Sequence, residues 1–132
     1  MIITPNFNIT NHFKYSEIAC KHCGELIIGE LLYRHMSNLE SLRMDCGFPF
    51  IIDSGHRCQF HNDEVGGKPD SMHLLFATDV RPQREDEDTD ATMEAKLHTI
   101  GELAEVHGFT GIGTYDTFRH LDCRQNKARW NG

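Results

Sequence analysis

The chain has little that would place it in a membrane, in an export pathway or on nucleic acid. No apolar run among its 132 residues approaches the length of a membrane-spanning helix, so we expect no membrane segment. The N-terminal stretch MIITPNFNITNHF has no basic region followed by a long apolar one, so we expect no signal peptide and a chain that is cytoplasmic as synthesised. The formal net charge of -7 argues against broad nucleic-acid binding, which needs a basic surface.

Internal repeats and linkers rich in Gly, Ser or Pro are also absent. The sequence therefore predicts a single domain over residues 1–132, a length that can bury its own core. We expect this domain to be a monomer. Histidine, in contrast, is abundant, and a count of nine favours metal or proton chemistry.

The five cysteines are an odd number, and without an export signal they favour thiols or metal ligands over a disulfide framework. Cys20 and Cys23 form a CKHC pair. Structural zinc sites usually have two such pairs. The pair therefore either binds a second metal together with a distant cysteine or consists of ordinary thiols, and we favour the thiols. Cys46, Cys58 and Cys123 are predicted to be small buried hydrophobes.

Hydrophobic periodicity predicts two helices and four strands. Apolar residues recur at helical spacing over residues 25–47 and 92–108, and Gly47 and Gly108 are placed to end the two helices. Strands are predicted at 49–55 and 74–80, a hairpin at 110–115 and 117–124, and a loop at 61–71. Because helices and strands are partly segregated, the pattern favours an α+β fold with a small antiparallel sheet.

Residues suitable as zinc ligands occur in two of the predicted segments. His73 precedes Asp79 by six residues, and His120 lies two residues before Asp122, so that this second pair projects from one strand face. Catalytic zinc takes three protein ligands and keeps one position open, a count that His73, Asp79 and His120 satisfy. From spacing alone the alternatives stay open: His73 as a strand cap, Asp79 in solvent, and His120 as an ordinary strand histidine.

A long stretch, SGHRCQFHNDEVGGKPDSMHLLFATDV, followed by GIGTYDTFRHLDCR and ARW, resembles the M15 family of zinc peptidases. These are the D-alanyl-D-alanine carboxypeptidases and phage endolysins that cut peptidoglycan peptides. The positions that match the family's motifs are Ser54, Gly55 and Arg57, then Ser71, His73, Ala77 and Asp79, and finally His120 and Asp122. The N-terminal HFKYSEIACKHCG resembles the opening of a small, often phage-encoded branch of the family.

This resemblance implies a fold, a cofactor and a substrate class. The fold would be hedgehog/D-Ala-D-Ala-peptidase-like, α+β, with helices packed on one side of the small sheet. A single Zn²⁺ would be bound by His73, Asp79 and His120, and a peptidoglycan peptide would be the substrate. A phage-encoded chain of this kind would be released to the cell wall.

The spacing between the first histidine and the aspartate departs from the family pattern. Five residues separate His73 from Asp79 where the family has six, and Phe76 stands in place of a glycine-containing pair. A fully extended chain would hold the two Cα atoms about 20 Å apart, at roughly 3.3 Å per residue, which is too far for one ion. We therefore predict a bend or bulge near Leu75 and Phe76.

The general base is the least defined part of the predicted site. Many relatives carry an acid three residues before the last histidine, and Thr117 occupies that position here. Asp116, on a turn, is our preferred base, and Asp122, which shares a strand face with His120, is preferred in a supporting role. Their structural alternatives are a turn-former for Asp116 and a ligand-orienting or salt-bridge residue for Asp122.

Three further residues are candidates for contact with substrate. Arg57 could hold a substrate carboxylate or a developing oxyanion, with a structural ion pair as the alternative. Ser71 could orient a ligand or the substrate, or it could only satisfy a turn. Trp130 could pack against the sheet or wall a substrate cleft.

The leading functional hypothesis is a zinc-dependent carboxypeptidase or endopeptidase acting on bacterial cell-wall peptides. The missing acid at Thr117 keeps a second class open, a zinc-stabilised but non-catalytic cell-wall-binding or virion structural module. A cysteine-based redox protein built on CKHC is the least favoured reading, and it predicts a reactive thiol with no metal dependence.

Overall fold

A two-stranded hairpin and a short helix open the chain, and a five-stranded sheet with longer helices follows. The computed structural model describes residues 6–132, and residues 1–5, the start of the stretch considered above for a signal peptide, lie outside the described part. The elements are β1 (Asn8–Thr10), β2 (Phe13–Lys14), α1 (Tyr15–Ile18), α2 (Glu30–Cys46), β3 (Phe50–Ser54), α3 (Gln59–Glu64), a 3₁₀ turn (Met72–Leu74), β4 (Thr78–Pro82), α4 (Asp90–Val106), β5 (Gly111–Thr114), β6 (Arg119–Asp122) and β7 (Ala128–Asn131).

Strands β3 to β7 form one sheet in the order β3-β4-β6-β5-β7. Neighbouring strands run antiparallel except for β5 and β7, which are parallel. The register places Asp79 of β4 opposite His120 of β6, and His120 opposite Gly113 of β5. The fold is therefore α+β, as predicted, with a parallel edge strand that the sequence did not indicate.

The hydrophobic core lies between the helices and one face of the sheet. Helices α2 and α4 pack against each other, and α4 contacts β4, β5 and β6. The core residues on the five-stranded sheet include Phe50, Ile52, Val80, Ile112 and Leu121. Full burial of an aliphatic or aromatic side chain stabilises the fold by about 1.5–3 kcal/mol. Since side chains alternate along a strand, Asp79 and His120 project from the opposite face of the sheet.

Helix α2 ends where the sequence predicted but begins later. Gly47 adopts the left-handed conformation, with φ of 77°, and its N–H donates to the Arg43 carbonyl. The helix begins at Glu30 rather than at residue 25, because its N-cap Gly29 is extended, with φ of 169° and ψ of -172°. Before it, the Cys20 N–H donates to the Glu25 carbonyl at 2.8 Å and closes a turn. Local hydrogen bonding in this segment outcompetes the helical periodicity.

The other boundary differences have local causes as well. Helix α3 occupies residues 61–64 of the predicted loop, and the Cys58 side chain caps it by accepting the His61 N–H. Helix α4 begins at Asp90 rather than at residue 92, because Thr89 and Thr92 form a reciprocal capping box. None of the helices in residues 6–132 is both long and apolar enough to cross a membrane.

Candidate metal centre

The chain bends between His73 and Asp79, as the spacing predicted. Ser71 accepts the His73 N–H at 3.2 Å and caps the 3₁₀ turn Met72–Leu74. Leu75 then leaves the helical region, with φ of -96° and ψ of -86°, and the buried Phe76 leads into β4. Phe76 anchors the bend in the core, so His73 folds back toward Asp79 instead of extending away from it.

His73, Asp79 and His120 converge on one point. Oδ1 of Asp79 lies 3.2 Å from Nε2 of His73 and 3.2 Å from Nδ1 of His120. All three side chains are buried, and their potential ligand atoms lie within 4.8 Å of one another. The bend at Leu75 delivers His73, and the β4–β6 register delivers the other two.

The second nitrogen of each imidazole is already engaged. Nδ1 of His73 lies 2.7 Å from the carbonyl oxygen of Gly55, which can only accept, so Nδ1 carries the proton. Nε2 of His120 donates to Oδ2 of Asp122 at 2.7 Å. In neutral His73 and His120 the remaining nitrogens therefore turn lone pairs toward the Asp79 carboxylate. This arrangement requires a cation, either a metal ion or a proton, between them.

The donor set fits an ion of zinc's size. A tetrahedral ion with bonds of about 2.0–2.1 Å separates its ligand atoms by about 3.3 Å, close to the two observed distances of 3.2 Å. Two imidazoles and one carboxylate are zinc ligands, and imidazoles anchored through their other nitrogen are usual around it. Three residues therefore could hold the metal here and would leave a coordination position free.

The electrostatics of the cluster keep the aspartate ionised. Burial raises the pKa of Asp79, but hydrogen bonds and charge from His120 and His73 outweigh it and lower the pKa to about 2. Burial likewise lowers the pKa of His120, but Asp122 and Asp79 outweigh it and raise the pKa.

Asp122 is fixed by Arg124, a residue that the sequence did not single out. Arg124 donates to Asp122 through Nε at 2.8 Å, Nη2 at 2.6 Å and the backbone N–H at 3.1 Å. Burial raises the pKa of the fully buried Asp122, but the hydrogen bonds from Arg124 and His120 outweigh it and lower the pKa. Asp122 therefore orients His120 and has both oxygens occupied, which agrees with a supporting role.

Glycines on β5 make room for this arrangement. A side chain at Gly111 would overlap Asp122, and one at Gly113 would lie 2.6 Å from the indole of Trp130. Trp130 packs on the sheet with its ring centroid 5.0 Å from that of His120, and Arg124 lies 4.8 Å over the indole. Trp130 therefore packs against the sheet, and since it is half-buried beside His120, its role as a wall of a substrate cleft stays a prediction.

Arg57 joins the cluster. Its guanidinium donates to Ser54 and to Asn62 at 3.3 Å each, and Nη2 lies 3.8 Å from Oδ2 of Asp79. The side chain is only 17% exposed, so its direction is set by these contacts. Ser71, in contrast, is engaged locally as the cap of the 3₁₀ turn.

Asp116 does not join the cluster. It is exposed at the bend between β5 and β6, and within residues 6–132 its carboxylate makes no hydrogen bond or ion pair. Thr117 beside it is exposed as well. The structure thus brings together five of the predicted site residues, His73, Asp79, His120, Asp122 and Arg57, and leaves Asp116 apart.

Comparison with known proteins and families identifies the family of this chain. A search of curated proteins found no match. The family model described as Peptidase M15 matches residues 11–122, a span that includes His73, Asp79, His120 and Asp122 and stops before β7. A match over this much of the chain supports a peptidase-type function. The chain belongs to the peptidase M15 family.

Proposed function

We propose that the protein is a zinc-dependent peptidase that hydrolyses a peptide bond in bacterial peptidoglycan. The observation that carries the proposal is the convergence of His73 Nε2, Asp79 Oδ1 and His120 Nδ1, with both imidazoles anchored through their other nitrogens. These three residues would hold the ion. When bound, zinc supplies a Lewis acid for the peptide carbonyl and lowers the pKa of water toward 7.

Around this centre Arg57 is the residue proposed to bind substrate. Its guanidinium group donates hydrogen bonds to Ser54 and Asn62 and lies beside Asp79. It therefore presents a fixed positive charge next to the proposed ligands. A guanidinium in such a position binds a substrate carboxylate or stabilises negative charge that develops on a carbonyl oxygen. Ser71 supports the site by capping the turn that carries His73, and direct contact of its hydroxyl with substrate remains our further proposal.

The proton transfers require a carboxylate that is free to move. Asp122 has both oxygens occupied, so we assign it to holding His120 in one orientation. Asp116 is exposed at the hairpin bend and is our proposed base, which would take a proton from water and deliver it to the leaving amine.

A second candidate function is a zinc-stabilised, non-catalytic cell-wall-binding or virion structural module. The observation that favours it is that the carboxylates at the centre already have hydrogen-bond or ion-pair partners. In the described part of the chain, the carboxylates that contact the two imidazoles are Asp79 and Asp122, and both are already engaged. A centre of this kind would bind zinc without a base beside it.

The test is metal analysis of the purified chain together with hydrolysis of peptidoglycan and of peptides ending in D-Ala-D-Ala. We expect zinc at this centre and release of peptide products, with both lost in His120→Ala. The matched control is His98→Ala, an exposed histidine on α4, which should retain both. Zinc that His120→Ala releases, without hydrolysis of any cell-wall substrate, would support the non-catalytic module. A folded protein whose zinc content is the same in the parent and in His120→Ala would exclude both functions.

A further inference from the structure

A second group of metal-ligand side chains lies outside the candidate centre. The sulfur atoms of Cys20, Cys23 and Cys58 lie within 4.8 Å of one another, although Cys58 follows Cys20 by 38 residues. In residues 6–132 these three cysteines and the His73 cluster are the groups of three or more that could hold an ion. The sequence showed one CxxC pair, and the tertiary structure supplies the distant cysteine that the pair lacked.

The backbone presents Cys20 and Cys23 together. Gly24 donates its N–H to the Cys20 carbonyl at 2.8 Å, and Cys20 donates to the Glu25 carbonyl at 2.8 Å, which closes the turn in both directions. Gly24 has a φ of 73°, a conformation that glycine adopts without strain. The closed turn fixes both cysteines before any ligand binds.

The sulfur atoms also accept backbone hydrogen bonds. Cys58 donates its N–H to Sγ of Cys20 at 3.3 Å, and His61 donates its N–H to Sγ of Cys58 at 3.4 Å. Two of the three sulfur atoms thus each accept a backbone N–H, and the thiolate is the form of cysteine that binds metal.

We propose that Cys20, Cys23 and Cys58 bind a structural zinc ion, separate from the ion of the His73 cluster. Thiolates are soft ligands that select zinc among the common divalent ions, and Cys₃His is a usual structural set. Cys58 and His61 form a C-x₂-H pair that complements C-x₂-C. The His61 imidazole lies outside the 4.8 Å group, and it would join the ion only if its side chain rotated toward the sulfur atoms.

The ion would tie the N-terminal segment to the connection between β3 and α3. The two already meet there, since His56 donates its N–H to the Ile18 carbonyl at 2.9 Å and Gly55 packs directly on the Ile18 backbone. Cys58 follows Arg57, and the Gly55 carbonyl accepts a hydrogen bond from Nδ1–H of His73. The second ion would thus stabilise the segment that positions two parts of the candidate metal centre.

Metal stoichiometry of the full chain, purified under reducing conditions with zinc present, tests this inference without any activity assay. We expect two zinc ions per chain in the parent, one in Cys58→Ser, and one in His120→Ala. Cys46→Ser is the matched control, because Cys46 is a half-buried thiol outside the cluster, and it should keep both ions. His61→Ala should weaken retention of the second ion, whereas the exposed His22→Ala should not.

Cobalt substitution tests the same inference in the folded parent, so the test does not depend on whether every variant folds. Co²⁺ bound by thiolates gives sulfur-to-metal charge-transfer bands in the near ultraviolet, and the His73 cluster contains no sulfur ligand. We expect these bands in the cobalt-loaded parent and their loss in Cys58→Ser. A folded parent that takes up cobalt without such bands, or a Cys58→Ser variant that keeps them, would overturn the inference and leave the proposed peptidase centre untouched.

Discussion

Asp79 and His120 face each other across β4 and β6, with 3.2 Å between Oδ1 and Nδ1. This pairing places two of the three proposed ligands by strand register alone, on the face of the sheet opposite to the core. The third, His73, depends on the bend at Leu75. The geometry of the centre therefore depends on the sheet, and changes that disturb the sheet or its supporting contacts should be measurable in metal affinity.

Asp122→Asn should weaken zinc binding at the His73 cluster by about 10- to 100-fold, because the imidazole of His120 loses the carboxylate that fixes its orientation. Zinc affinity by competition with a chelator measures the effect. Asp53→Asn is the control, since Asp53 also pairs with an arginine but on the exposed surface. Equal affinity in the two variants would remove Asp122 from the positioning role.

Asp116→Asn should lower the rate of peptide hydrolysis by about 10²- to 10⁴-fold while zinc content stays unchanged, because proton transfer loses its base. Asp86→Asn, an exposed acid in the acidic loop before α4, is the control and should hydrolyse normally. Near-normal turnover in Asp116→Asn would discard this residue as the base.

Arg57→Lys keeps the positive charge but loses the planar fork that contacts Ser54 and Asn62. If the guanidinium holds a substrate carboxylate, KM should rise about tenfold, the equivalent of about 1.4 kcal/mol, with little change in kcat. A fall in kcat at unchanged KM would instead assign Arg57 to the developing oxyanion. Arg81→Lys, at an exposed ion pair, is the control, and if Arg57→Lys matched it in both constants Arg57 would have no substrate role.

Gly113→Ala should destabilise the fold by about 1–3 kcal/mol, because the new methyl group would lie 2.6 Å from the indole of Trp130 and force β7 or the indole to shift. The free energy of unfolding in urea measures the change. Gly29→Ala places its methyl group in open space and should have a much smaller effect. Similar losses in the two variants would show that Trp130 is not packed tightly on β5.

His35 should make stability fall as the pH falls. Burial between Phe76 and Phe109 lowers the pKa of His35 from 6.5 to about 3. Below pH 6.5 the His35 imidazole is therefore protonated in the unfolded chain but stays neutral in the folded protein. The contribution is complete above pH 6.5 and is lost by about 1.4 kcal/mol per pH unit below it.

The measurement is the free energy of unfolding between pH 7.5 and 5, compared with His35→Leu under the same conditions. In the variant, the slope of the free energy of unfolding against pH should be smaller by about 1.4 kcal/mol per pH unit, the contribution of one proton. The exposed His98→Ala should retain the parent slope. Identical slopes in the parent and in His35→Leu would show that His35 is protonated in the folded state.

Local features of the fold could be predicted because neighbouring residues decide them. The end of α2 follows from the freedom of Gly47 to adopt a left-handed conformation, and the β5–β6 hairpin follows from the residue pattern. The bend at Leu75 follows from chain geometry, since a straight strand could not bring His73 to Asp79. In each case the information lies within a few residues.

The sequence by itself determined the α+β class, the candidate ligands and the need for a bend, because hydrophobic periodicity, side-chain chemistry and the length of an extended segment are local properties. Only the tertiary structure decided that Arg124 hydrogen-bonds to Asp122 and that Cys58 lies beside the CKHC pair. It also decided that Trp130 packs on Gly113 and that Asp116 stays exposed. Spacing shows how each segment folds but not which distant segments meet. That choice depends on burial of the shared core and on hydrogen bonds formed only once the strands are in register.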